Sequence, residues 1–181
     1  MQQVCNEDHS DSDCVVVVVL THGDGHNLWA KNVKYPTETL FEYFNGNRCP
    51  TLIGKPKIFI IQACRGGKVD PGSTLRALGP TPAFTSAPTT PQRIYTIPTN
   101  ADFLVYYSTS PGHYSFRNPV TGSYFIDNLV YILNNCCYNG NYQYNHDLVT
   151  LFTLVNQLVA IKFESHNSKR PEIHGKKQMP V

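Results

Sequence analysis

The stretch Ile58-Phe59-Ile60-Ile61-Gln62-Ala63-Cys64-Arg65-Gly66-Gly67 runs four apolar residues straight into a thiol and a glycine turn. A continuous apolar run of this length suits a strand buried on both faces of a parallel sheet, and in such sheets chemistry gathers beyond the carboxyl ends of the strands. Cys64 falls at that end. A second β-branched run, Cys14 to Leu20, closes on Thr21-His22-Gly23-Asp24-Gly25, so His22 also leaves a strand into a turn.

Between the two runs, Leu40, Phe41, Tyr43 and Phe44 form an amphipathic pattern that predicts a helix from Pro36 to the stop signal Asn45-Gly46. Strand, helix, strand is the parallel crossover unit, with the second strand at 57–62. Residues 70–101 are dominated by proline, threonine, serine and alanine and read as a linker inside one catalytic domain. It separates a first portion, 1–69, carrying His22 and Cys64, from a second, 102–181. In the second portion 102–108 predicts a third strand and 110–122 a loop. Ser123 is expected to cap a helix burying Phe125, Ile126, Leu129, Val130 and Leu133, and Asn145 to cap one burying Leu148, Leu151, Phe152, Val155, Leu158 and Val159.

With 181 residues, 41% of them hydrophobic, the chain can bury one core, and its net charge of +2 gives no reason to expect nucleic acid as a partner. No apolar run is long enough for a membrane span, and Met1 is followed by polar residues instead of a signal peptide, so the expectation is a soluble, non-secreted chain. Six cysteines therefore read as free thiols, mostly small buried hydrophobes, with Cys14 opening a strand and Cys136-Cys137 inside a helical pattern. No C-x-x-C pair offers a zinc site, and Gly23 and Gly25 oppose the helix that His22-x-x-x-His26 needs to chelate a metal, so neither metal nor cofactor is expected.

A nucleophilic thiol needs a partner that takes its proton, and neighbouring strand ends bring His22 within reach of Cys64. Glycine at 23 and 66 lets backbone approach a ligand closely, so the Gly23 and Cys64 amides are candidates for an oxyanion hole in acyl transfer.

Gln62-Ala63-Cys64-Arg65-Gly66 with a histidine upstream resembles the caspase signature. The resemblance extends over Glu7-Asp8-His9-Ser10, the strand into His22-Gly23, Gly54-Lys55-Pro56-Lys57, Ala101-Asp102-Phe103-Leu104, Tyr107-Ser108-Thr109, Pro111-Gly112, Ser115-Phe116-Arg117-Asn118, Phe163-Glu164-Ser165 and Lys176-Lys177-Gln178-Met179-Pro180. The chain is similar above all to effector, or executioner, caspases. That implies a three-layer α/β sandwich with a mainly parallel central sheet, and a cytoplasmic zymogen of apoptosis that cuts protein substrates after aspartate. His22 would be the acid/base, Cys64 the nucleophile and Gly23 an oxyanion donor. Arg117 and Gln62 would hold the substrate aspartate, within the context Tyr114-Ser115-Phe116-Arg117-Asn118. Tyr114, Phe116 and Ile173 would wall the next subsite, and Asn118 and His166 would lie where the family contacts the fourth substrate residue, although 166–173 is one residue longer than the usual effector form. Homodimers or heterodimers of caspases and inhibitor-of-apoptosis proteins are the implied partners.

Three departures from the family shape further expectations. The first strands, which carry a second arginine of the aspartate pocket, have no counterpart before Met1, and loss of such a charge partner costs about 2–5 kcal/mol. The edge strand that pairs two catalytic units would follow Val181, so dimerisation by that route is expected to be lost and a strand edge exposed. Residues 71–101 contain neither Asp nor Glu, so ordinary caspase processing is not expected to separate the two portions. The reading from a different class is a catalytically impaired caspase homologue that binds and modulates a full-length relative.

Overall fold

The computed structural model describes residues 1–73, 98–138 and 146–181, with the side chains of 137 and 138 outside that description. The predicted linker at 70–101 therefore lies largely outside it. The elements run α1 (Gln2–Cys5), β1 (Val15–Leu20), β2 (Gly23–Asp24), β3 (Asn27–Trp29), β4 (Lys34–Pro36), α2 (Glu38–Glu42), β5 (Lys57–Gln62), β6 (Phe103–Tyr107), α3 (Tyr124–Leu133) and α4 (Leu148–Lys162). β1, β5 and β6 form a parallel sheet in that order, and β2, β3 and β4 a small antiparallel sheet inside the crossover from β1 to β5.

β5 occupies the centre of the sheet, and every one of its residues is buried. Its side chains alternate between two cores. Phe59 and Ile61 join Val17, Leu28, Leu40, Phe44 and Leu52 on one face, whereas Ile58 and Ile60 join Tyr106 and the inner sides of α3 and α4 on the other. That alternation makes a three-layer α/β sandwich. Phe59 is fully buried, with the rings of Phe41, Phe44 and Phe103 at 4.9, 5.7 and 5.7 Å, and burying such a side chain stabilises by about 1.5–3 kcal/mol.

Lys57 opens β5 and is 2% exposed. Its ammonium is satisfied by the Leu52 and Lys55 carbonyls at 3.0 and 2.8 Å, while burial pushes its pKa down and Asp102 opposes that shift. β1, by contrast, lies at the edge of the sheet formed by the described residues. Val16, Val18 and Leu20, which pair in register with Ile58, Ile60 and Gln62, are about half exposed because α3 and α4 cover β5 and β6 but not them.

Several expectations are corrected. α2 ends at Glu42, short of Asn45-Gly46, because the chain tightens there: Phe44 N–H bonds the Phe41 carbonyl, and Asn45 Oδ1 accepts the N–H groups of Asn47 and Arg48. Ser123 does cap α3, but Ile132, not Val130, completes its buried stripe with Phe125 and Leu129, and Val130 is 48% exposed. The cap of α4 is Asp147, whose carboxylate accepts both the N–H and the hydroxyl of Thr150 at 2.9 Å; Asn145 lies outside the described residues. Cys5 and Cys49 are buried, but Cys14 is exposed, since it precedes the first paired residue of the edge strand. Among the described residues no helix is long and apolar enough to cross a membrane.

Candidate active site

Register places the two expected catalytic residues. Leu20 and Gln62 are partners in the β1–β5 ladder, and His22 and Cys64 each stand two residues beyond them at the same end of the sheet. Thr21 N–H to the Gln62 carbonyl, at 3.0 Å, carries the pairing one step past the strand. His22 then turns into the β2–β3 hairpin, where its carbonyl accepts Trp29 N–H at 3.0 Å and its ring meets the Trp29 ring at 5.9 Å. His22 and His26 thus flank the start of a hairpin, not one face of a helix. A Cβ on Gly23 would meet the Cys64 carbonyl oxygen at 2.5 Å, so only glycine lets the hairpin lie this close to the cysteine.

Cys64 is partly exposed, and among the described residues its thiol bonds to Ser115: Ser115 N–H points at Sγ at 3.4 Å, and Sγ points at the Ser115 carbonyl at 3.5 Å. The loop after Cys64 is zipped to the loop after β6. Arg65 N–H donates to His113, Gly112 N–H to Arg65, Lys68 N–H to Gly112 and Tyr114 N–H to Lys68, all at 2.8–3.0 Å. Gly66, at φ 148°, is required here because a Cβ would overlap the Gly112 carbonyl. Arg65 carries its guanidinium 3.8 Å from the Tyr107 ring centroid; burial pushes the Tyr107 phenol up, and Arg65 opposes it.

Below this surface lies a buried polar network. Gln62 Nε2 donates to Ser115 Oγ and Ser123 Oγ donates to Gln62 Oε1, each at 2.7 Å; Ser108 Oγ shares a hydrogen bond with Ser115 Oγ, also at 2.7 Å. Gln178 closes it, with Nε2 to the Ser108 carbonyl and Oε1 accepting Phe116 N–H, both at 2.8 Å. All five side chains are buried, and no buried side-chain polar atom of the described residues is left unpaired. The sequence places Ser108 and Gln178 in family-like stretches but gives neither a role in a buried network, and it marks Ser123 only as a helix cap. A serine directly after a strand and a glutamine in a polar tail carry no periodic signal.

Beside the network is a groove of about 390 Å³. Of the residues expected at substrate subsites, Phe116, Arg117, Asn118, His166 and Ile173 line it; Gln62 and Ser115 lie in the buried layer, and Tyr114 stands next to Phe116 with rings 6.0 Å apart. Its aromatic wall is completed by Phe163, 5.4 Å from both Phe116 and Tyr124, two roles the sequence did not disclose. Arg117 and Lys162 bring positive charge to the groove, and Asp127 and Glu164 negative. Asn118 Oδ1 is occupied by the N–H groups of Val120 and Thr121, and the His166 ring packs against His174 at 4.9 Å. The arrangement offers a partly exposed thiol, an imidazole at the next strand end, and a guanidinium in a groove whose lining includes neither of them.

The family model described as Caspase domain matches residues 1–181. Among curated proteins, Caspase-1 of Spodoptera frugiperda is 43% identical over 99% of this chain and 56% of its own length. Caspase drICE of Drosophila melanogaster is 40% identical over 99% and 50%, and Caspase-7 of Gallus gallus 39% over 99% and 55%. The crystal structure of Caspase-1 from Spodoptera frugiperda superposes with a TM-score of 0.83 at 40% identity, over 99% of this chain and 64% of that one. The chain thus spans about half the length of the curated relatives it matches.

Proposed function

The chain belongs to the caspase family, and from that premise we propose that it carries the catalytic core of an aspartate-specific cysteine endopeptidase. The observation that supports this most is the common register of His22 and Cys64 two residues beyond the Leu20–Gln62 pair. In this reading Cys64 gives its thiol proton to His22, and Sγ attacks the carbonyl carbon of the scissile peptide. The Gly23 and Cys64 N–H groups stabilise the oxyanion. His22 returns the proton to the departing amine, leaving a thioester that water then hydrolyses with His22 as base.

Arg117 is the cation for the substrate aspartate, and Gln62, with Ser115 engaging its amide nitrogen, sets the floor of that pocket. The groove lined by Phe116, Asn118, His166 and Ile173 takes the preceding substrate residues. Executioner caspases among the relatives suggest a cytoplasmic, zymogen-derived role in apoptosis, with caspase dimers and inhibitor-of-apoptosis proteins as partners. The half-exposed apolar stripe of β1 favours a second reading, in which the chain docks on another caspase and modulates it.

The test is covalent labelling by a peptidyl-aspartyl ketone, with the Cys64→Ala variant and a peptidyl-alanyl ketone as comparisons. The expected result is one adduct per chain, located on Cys64, absent from the variant and from the alanyl reagent. Labelling that does not distinguish aspartyl from alanyl reagents sinks the aspartate specificity, and no labelling of a folded chain sinks the peptidase.

A further inference from the structure

Gln178 lies outside the lining of the groove and far along the chain from Cys64, yet it is 2% exposed and both ends of its amide are used. Its acceptor half takes the N–H of Phe116, which belongs to the same peptide unit as the Ser115 carbonyl. The carbonyl of that unit receives the Cys64 thiol. In a trans peptide the N–H and C=O point in opposite directions, so one rigid plane is gripped by Gln178 on one side and by the nucleophile on the other. The donor half of the amide fixes Gln178 to Ser108, directly after β6.

The backbone holding Gln178 is itself pinned. Lys177 N–H bonds the Asp70 carbonyl at 2.8 Å, and Val181 exchanges hydrogen bonds with Tyr107 at 2.7 and 2.9 Å. The segment 177–181 therefore spans the Cys64 loop, the end of β6 and the 114–118 loop. Rotation of the Ser115–Phe116 plane, which would swing the thiol's carbonyl acceptor and bear on the Arg117 loop that follows, requires breaking the part-buried hydrogen bond from Phe116 N–H to Gln178.

We propose that Gln178 is a positioning residue for the Cys64 nucleophile, acting through the Ser115–Phe116 peptide. The proposal rests on Cys64 being the nucleophile, not on aspartate specificity, so its readouts are chosen to need no substrate. Three variants are compared: Gln178→Met, which has neither donor nor acceptor of that strength; Gln178→Glu, which keeps an oxygen for Phe116 N–H; and Tyr106→Phe, which removes a buried hydroxyl at a distance. Hydrogen exchange is followed at the Phe116 amide. Iodoacetamide alkylation of Cys64 is followed by peptide mass spectrometry relative to the exposed Cys14 of the same sample.

For Gln178→Met the expected result is Phe116 exchange faster by about tenfold or more and a Cys64-to-Cys14 alkylation ratio changed by at least about threefold. Gln178→Glu keeps both within about threefold of the parent, and Tyr106→Phe lowers the unfolding midpoint while moving neither. A folded Gln178→Met with an unchanged ratio overturns the proposal, as does an equal shift in Tyr106→Phe. Should Gln178→Met fail to fold, Gln178→Glu decides: a protected Phe116 amide beside an altered thiol ratio refutes the coupling. Failure of the parent chain to take up the aspartyl ketone counts against the peptidase reading and leaves these two readouts interpretable.

Discussion

Replacing Ser123 by alanine removes one hydroxyl and two hydrogen bonds of different kinds. Its oxygen accepts Ile126 N–H at 3.4 Å as the cap of α3, and its proton goes to Gln62 Oε1 at 2.7 Å in the buried network. Loss of a serine cap costs about 0.5–2 kcal/mol. The buried Gln62 oxygen, left without a donor, adds about 1–3 kcal/mol. Together the expected loss is about 1.5–5 kcal/mol, which for a domain of this size lowers the thermal midpoint by about 3–20 °C. Urea unfolding at neutral pH measures it, and the Ser123→Ala/Gln62→Met pair isolates the network part. Once Gln62 has no polar atom to satisfy, the double variant recovers about 1 kcal/mol or more relative to the sum of the single changes. A loss below about 0.5 kcal/mol in Ser123→Ala, or strict additivity in the pair, refutes the idea that this hydroxyl holds Gln62.

Phe59→Ala removes a fully buried ring packed against three others and is expected to cost about 3–5 kcal/mol by urea unfolding; a loss under about 1 kcal/mol means the aromatic cluster closes over the gap. Val18→Thr on the uncovered face of β1 leaves stability within about 0.5 kcal/mol and reduces light scattering at high concentration; unchanged scattering separates the stripe from self-association. Burial pushes the Tyr106 phenol well above its ordinary value, so the stability it contributes is fully present below about pH 10 and is lost as pH rises further, where the unfolded chain sheds a proton that the folded chain keeps. Tyr106→Phe therefore shows a shallower alkaline fall of the urea midpoint than the parent, and parallel curves exclude that phenol as the cause. Gly66→Ala pushes a methyl into the Gly112 carbonyl and is expected to cut ketone labelling of Cys64 by about tenfold or more while far-ultraviolet circular dichroism stays unchanged.

What the sequence made legible follows from how local each signal is. β5 is legible to its observed bounds because four consecutive apolar residues stand between a lysine and a glutamine, and both polar ends are buried with their own hydrogen-bond partners. The His22 and Cys64 placement came from the same two strand ends. Asn145 and Asp147 are both good caps two residues apart, and the choice fell to Asp147 because Thr150 supplies an N–H and a hydroxyl to the same carboxylate. The hairpin sheet of β2, β3 and β4 went unread because strands of two or three residues are too short to show alternation. The network under the site is hidden for a different reason: Gln178 meets a partner 70 residues away, and no local pattern marks it as buried.

The five register pairs from Lys57–Phe103 to Ile61–Tyr107 join backbone from opposite sides of 74–97, and both cores draw side chains from each side. Covalent continuity through 74–97 is thus distinct from the cohesion of the fold. A covalent link between two fragments raises their effective concentration, to the order of millimolar at best. A break there turns one molecule into two complementary fragments whose recognition surface is the interior of the sheet itself. Because His22 and Cys64 ride on one fragment and Ser115, Arg117 and Gln178 on the other, the thiol's surroundings become a property of their association, and dilution, not cleavage, is the event that dismantles them.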